Sequence, residues 1–210
     1  MASQNQNDRL GDHSLKRNIF HKYYTLIAAA SALLLIQDSV TAAPLVLPRP
    51  VPLQAETIAQ LKHAHANENV QWQLVVFGFT RCKDACPTSL GNLAMLIDVA
   101  NAEQIKLNGT FVSIDPDRDS EAALADYTER FGSDISYLRF ENEELERFKA
   151  TFGVEASFLT KNEGNMEHYQ VDHSTAAFLI DPEGRIKVMF DAVKDAASVA
   201  KLFHESRELF

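Results

Sequence analysis

An α/β domain with a mixed central sheet and helices on both faces is the fold the sequence predicts, and three observations predict it. Between residues 54 and 152, short apolar runs rich in Val, Phe and Ile alternate with segments of helical period. Two more strand-like runs flank Asp181-Pro182-Glu183-Gly184, and a last helical segment follows. The 210 residues are 46% hydrophobic and 23% charged with 8 Gly and 7 Pro, the composition of one globular domain plus an appendage rather than a disordered or multi-span chain.

Each element has its own signal. Residues 54–66 read as a helix. Residues 73–79 (QLVVFGF) are too short for a buried helix and read as a central strand buried on both sides. Pro87 stands where a helix starts, and Leu90, Leu93, Ala94, Ile97 and Ala100 follow at helical spacing. Residues 110–115 form a second strand, and residues 120–131 a helix with Leu124, Tyr127 and Phe131 on one side. Residues 135–140 form a third strand, and residues 141–152 a helix that is acidic at its start, as the helix dipole favours. Residues 175–180 and 185–190 pair as a hairpin about the Pro- and Gly-containing turn, and residues 194–210 close the domain as a helix. The order βαβαβα followed by ββα is that of a thioredoxin-like fold with an inserted βα unit.

Residues 1–43 read differently. Lys16, Arg17 and Lys22 precede thirteen uncharged residues, Tyr24 to Ile36, and small residues end the segment at Ala42 and Ala43. This is the layout of a secretory signal, with an uncleaved N-terminal membrane anchor as the alternative. The run falls short of the roughly 20 residues of a typical span. Both readings put the body outside the cytoplasm, periplasmic or otherwise extracytoplasmic, because the basic flank stays inside. Residues 44–53, with four prolines, read as a stiff extended linker, and residues 54–210 as the folded domain. The net charge of -9 offers no basic face for nucleic acid.

The two cysteines, Cys82 and Cys86, follow the first central strand and open the next helix. Open α/β sheets carry their sites at such a loop, and a helix N-terminus there is expected to depress a thiol pKa. Three readings remain open: a structural disulfide, a redox dithiol, and a metal site for a soft ion, Cu(I) above all, that needs at least one more ligand. Of the seven histidines, His173 stands out, because the loop entering the 175–180 strand packs against the cysteine turn in this architecture. Asp172 is then a candidate to orient the imidazole, or else a plain surface turn residue. His63, His65 and His204 read as solvated, and His13 and His21 belong to the appendage. Met166 and His168 lie in a loop and read as surface, with a transient metal contact as the alternative. Asp115, Asp117 and Asp119 read as a solvated turn with a helix cap, or as a contact for a client.

Three segments, FGFTRCKDACPTSL (77–90), FVSIDPDRDS (111–120) and VDHSTAAFLIDPEGRI (171–186), together resemble the Sco/SenC family of copper-binding assembly factors for cytochrome c oxidase. The resemblance covers roughly residues 70–210. It implies a thioredoxin-like fold in which Cys82, Cys86 and His173 bind one copper ion, as Cu(I) and by family precedent as Cu(II). It further implies service to the binuclear copper centre of a membrane oxidase subunit, by delivering copper or by reducing the cysteines that receive it. The partner is then that subunit or another copper chaperone, and the N-terminus a membrane tether. The rival is a thiol–disulfide oxidoreductase with Cys82 as nucleophile and Cys86 as resolving thiol. Two departures from the family pattern stand out: Lys83 follows the first cysteine where Pro is usual, and residues 55–70 look helical where a β-hairpin is usual.

Overall fold

The computed structural model describes residues 43–65, 71–161, 164 and 167–210. The signal or anchor reading therefore lies outside the described residues up to residue 42. Among the described residues no helix is long and apolar enough to cross a membrane.

Six strands form one sheet in the order β1-β8-β7-β2-β3-β4. They are β1 (Leu45–Pro52), β2 (Trp72–Gly78), β3 (Leu107–Ser113), β4 (Ile135–Leu138), β7 (Ala176–Ile180) and β8 (Arg185–Asp191). β2, β3 and β4 run parallel, while β7 is antiparallel to both β2 and β8, which makes the sheet mixed as expected. The helices are α1 (Ala55–Ala64), α2 (Ala85–Ala102), α3 (Glu121–Glu129), α4 (Asn142–Phe152) and α5 (Ala196–Glu205). The last predicted helix breaks after Glu205 into a single 3-10 turn, Arg207–Leu209.

Strand alternation assigns the two faces of the sheet. Phe77 and Thr110 point to one face. There Phe77 meets Phe148 and Phe152 of α4, with ring centroids 6.2 and 5.4 Å away. Gly78 and Phe111 point to the other face, where Phe111 packs against Tyr127 of α3. On α2, residues Cys86, Ser89, Leu90, Leu93, Leu96, Ile97 and Ala100 are buried, the three-to-four spacing of one helical side.

Two parts of the chain depart from the sequence reading. The proline-rich segment 44–53 is extended, but it is not a free linker. It forms the edge strand β1, paired antiparallel with β8 through Leu45–Met189 and Val51–Ile186, with a register shift between. Proline lacks only the donor, and an edge strand needs donors on one side alone, so Pro48, Pro50 and Pro52 are tolerated there. The second departure is a separate two-stranded sheet, β5 (Ala156–Leu159) paired with β6 (Gln170–His173). Each strand has only four residues, alternately exposed and half-buried, too short a run to be read as a strand from the sequence.

Candidate metal centre

β2 ends at Gly78 and delivers the cysteine loop to the end of the sheet where β3 also ends. The loop turns tightly, with the Cys82 N–H donating to the Phe79 carbonyl at 3.2 Å. Cys86 then enters the first turn of α2. Its backbone N–H, one of the helix's unpaired donors, is directed at Cys82 Sγ, 3.3 Å away. Cys82 is half-buried and Cys86 is buried, and both thiols are free. Lys83 is exposed beside them.

Cys86 does not have the depressed pKa expected at a helix mouth. Burial pushes its thiol up, and the neighbouring Cys82 side chain adds to the shift. Desolvation outweighs the favourable helix end because the side chain points inward, toward Gly78 and the Phe111 ring.

His173 comes to the same place from the end of β6, 87 residues along the chain. Its Nε2 lies 3.8 Å from Cys86 Sγ. Its Nδ1–H donates to the Ser174 carbonyl at 2.8 Å, which fixes the tautomer and leaves the Nε2 lone pair turned to the sulfur. Burial lowers the imidazole pKa, with the Ser174 carbonyl and the Asp172 charge pulling the other way, which favours the neutral ring. Phe79 stands edge-on to the ring, with centroids 5.9 Å apart. The ring is oriented by the Ser174 carbonyl, whereas Asp172 is exposed and sits opposite Ser157 in the β5–β6 ladder.

The acidic loop is the largest correction to the sequence reading. Asp115 and Asp119 are fully buried rather than solvated. Asp119 accepts from the Thr80 N–H (3.1 Å), the Thr80 hydroxyl (2.6 Å) and the Ser113 hydroxyl (2.7 Å), which ties the β3–α3 loop to the cysteine loop. Asp115 accepts from Arg118 Nε at 2.6 Å and from the Tyr169 hydroxyl. Arg118 also donates to the Tyr169 carbonyl at 2.9 Å and stacks 3.6 Å above the Tyr169 ring. The helix cap is Ser120, whose Oγ accepts from the Ala123 N–H. Asp117 alone faces solvent, paired with Lys161. This loop thus joins the cysteine loop to the base of the strand carrying His173. Thr80, Arg118, Tyr169 and Ser174 were missed from sequence. The signal was available in Asp-Pro-Asp-Arg-Asp, where an arginine set between carboxylates suggests an internal ion pair.

Two other histidines among the described residues stand elsewhere, His65 against β3 and His204 on α5. His65 is half-buried instead of solvated, bonded through Nε2 to Thr110 Oγ1 at 2.9 Å on the opposite face of the sheet. His204 pairs with Glu103 at 2.6 Å. Met166 lies outside the described residues. Among the described residues no three His, Cys, Asp or Glu side chains are already gathered closely enough to hold an ion. Cys86 and His173 are in contact, and Cys82 reaches them only through the Cys86 N–H and thiol.

The SCO1/SenC family profile matches residues 60–206, well over half of the chain. The chain belongs to the SCO1/SenC family. Among curated relatives, the human protein SCO1 homolog, mitochondrial, is 33% identical over 132 residues, which are 62% of this chain and 43% of that one. The chain spans about half the length of the first curated relatives it matches. Among solved structures, Arabidopsis thaliana ScoI with copper bound aligns with a TM-score of 0.59 and 27% identity over 66% of this chain and 85% of that one. The solution structure of apo Sco1 from Thermus thermophilus aligns with a TM-score of 0.61 and 25% identity over 82% of this chain and 99% of that one. The thioredoxin-like fold read from the element order is the fold of these SCO1/SenC relatives.

Proposed function

We propose that this SCO1/SenC protein is an extracytoplasmic copper chaperone that carries one copper ion on Cys82, Cys86 and His173 toward the binuclear copper centre of cytochrome c oxidase. The contact between Cys86 Sγ and His173 Nε2 carries the reading: two groups 87 residues apart meet at 3.8 Å with the imidazole lone pair turned to the sulfur. Two sulfurs and one neutral imidazole suit Cu(I), which accepts soft and borderline donors and low coordination. Copper-bound structures of plant and yeast relatives support the cargo. The N-terminal basic and apolar segment supports an extracytoplasmic location, either released or held at the membrane.

Copper is the cargo here, so ligand exchange matters as much as affinity. Cys82 sits in the half-buried loop, where an incoming partner thiolate reaches it first. Cys86 and His173 lie behind it and hold the ion until the second exchange. Binding releases the thiol protons to solvent. Oxidation to a Cys82–Cys86 disulfide removes both sulfur ligands, so loading depends on the redox poise around the protein. The test is X-ray absorption on the reduced, copper-loaded protein beside His173→Ala. Two sulfurs and one nitrogen, with the nitrogen lost in the variant, support the proposal, and an unchanged spectrum overturns it.

A second reading, a thiol–disulfide oxidoreductase acting on a copper-protein client, is favoured by the Cys86 N–H directed at Cys82 Sγ. That contact holds the sulfur of the more accessible cysteine at the helix N-terminus, where an incoming disulfide meets it. On this reading His173→Ala leaves disulfide exchange largely intact.

A further inference from the structure

The β5–β6 hairpin, which carries His173, is a two-stranded sheet of its own, with neither strand paired to the six-stranded sheet. Side chains therefore set where it sits. Among its described residues, 156–161, 164 and 167–173, Tyr169 alone is buried. Tyr169 stands immediately before β6, and the alternation of the strand carries through it. Tyr169, Val171 and His173 are buried or half-buried, whereas Gln170 and Asp172 are exposed. Tyr169 and the imidazole thus face the body from the same side of one short strand.

Tyr169 is held on three sides. The Arg118 guanidinium lies 3.6 Å above its ring. Its carbonyl accepts from Arg118 Nη1 at 2.9 Å, and its hydroxyl donates to the buried Asp115 carboxylate. The same guanidinium lies 5.8 Å from the centroid of the Phe79 ring, and Phe79 stands edge-on to His173. Tyr169, Arg118, Phe79 and His173 therefore form a circuit of contacts that β6 closes. The ion pairs that also tie the hairpin to the body, Lys161–Asp117 and Arg81–Glu167, are partly or largely exposed and contribute little.

We infer that Tyr169 is a positioning residue for His173: its hydrogen bond to Asp115 and its stack on Arg118 pin β6 where the imidazole meets Cys86. Phe at this position fills the same space and keeps the stack, but it gives up the bond to the carboxylate. The hairpin then leaves the body more often, and the imidazole leaves Cys86 with it. The inference deepens the proposed copper site by naming what keeps its nitrogen in place, and its first test needs no metal.

That test is the rate at which diethyl pyrocarbonate modifies His173 in the reduced, metal-free full chain, resolved by peptide mass spectrometry. In the closed hairpin Nε2 is turned to the Cys86 sulfur, so the ring reacts as the hairpin opens. Tyr169→Phe raises the rate about tenfold, the scale of one hydrogen bond to a charged group. Phe203→Leu is the control for a merely structural effect. Phe203 is fully buried on α5, so its truncation lowers global stability without touching the hairpin and leaves the rate at the wild-type value. Equal rates in wild type and Tyr169→Phe overturn the inference, and so does an equal rise in Phe203→Leu. Copper-loaded Tyr169→Phe also gives up its ion to a chelator more readily than wild type, and equal retention overturns the link to the metal centre. A wild type that takes no copper defeats the proposed function, while the modification rates still decide the role of Tyr169.

Discussion

Gly78→Ala tests the packing of the centre with a single methyl group. A β-carbon there stands 2.6 Å from Phe111 Cε2, 2.8 Å from Cys86 Sγ and 2.9 Å from Phe111 Cζ, all closer than real contacts allow. Phe111 is 1% exposed and Cys86 is 3% exposed, so neither can swing into open space. Overpacking of a well-filled core costs about 1–3 kcal/mol. For a domain of this size that is a fall of roughly 2–12 °C in melting temperature. Because one of the two clashing atoms is the ligand sulfur, the strain also reaches the metal centre. Roughly 1.4 kcal/mol of it falling on the loaded form weakens copper retention about tenfold. Gly91→Ala is the internal control. Gly91 lies on α2 with nothing within 4 Å of its would-be β-carbon, and the change stabilises by about 0.4–1 kcal/mol through the unfolded chain. Thermal unfolding of the empty proteins and chelator competition on the loaded ones read both effects. A Gly78→Ala protein that melts and holds copper like wild type refutes the packing argument.

Arg118→Ala removes one side of an ion pair whose side chains are 4% and 1% exposed, leaving the Asp115 carboxylate buried without its cation. The expected loss is about 3–5 kcal/mol by urea unfolding, and a loss near the few tenths typical of surface pairs contradicts the buried network. His65 gives a pH prediction on the other face of the sheet. Burial lowers its folded pKa below the ordinary 6.5, with Asp134 opposing, so the folded state holds fewer protons than the unfolded one. Its contribution to stability is complete above pH 6.5 and is lost as the pH falls through the lowered folded value. His65→Gln should therefore lose stability less steeply than wild type over that window, and parallel profiles contradict the assignment.

The sequence made the parallel core legible because β2 and β3 are apolar runs too short to be helices, and α2 repeats its apolar residues at every turn. The cysteine pair was legible for the same local reason, since both residues lie in one loop at a strand end. β1 was not, because its three prolines signal a spacer unless one knows that β8 offers it an edge to pair with. The β5–β6 ladder was too short to leave a period. The acidic loop was misread because part of its compensation is distant: Asp119 also accepts from Thr80, 39 residues away, and Asp115 from Tyr169, 54 residues away. The nearby partners, Arg118 for Asp115 and Ser113 for Asp119, do not by themselves reveal burial, which depends on these distant contacts. Asp172 was chosen to orient His173 because it is adjacent and charged, but the strand alternation that turns His173 inward turns Asp172 out.

The most direct measurement of the central claim is the copper coordination shell of the reduced, loaded protein by X-ray absorption, for wild type and for His173→Ala. The account predicts two sulfur scatterers and one imidazole nitrogen in wild type and loss of the nitrogen with weaker retention in the variant. A shell that is identical in both proteins contradicts it.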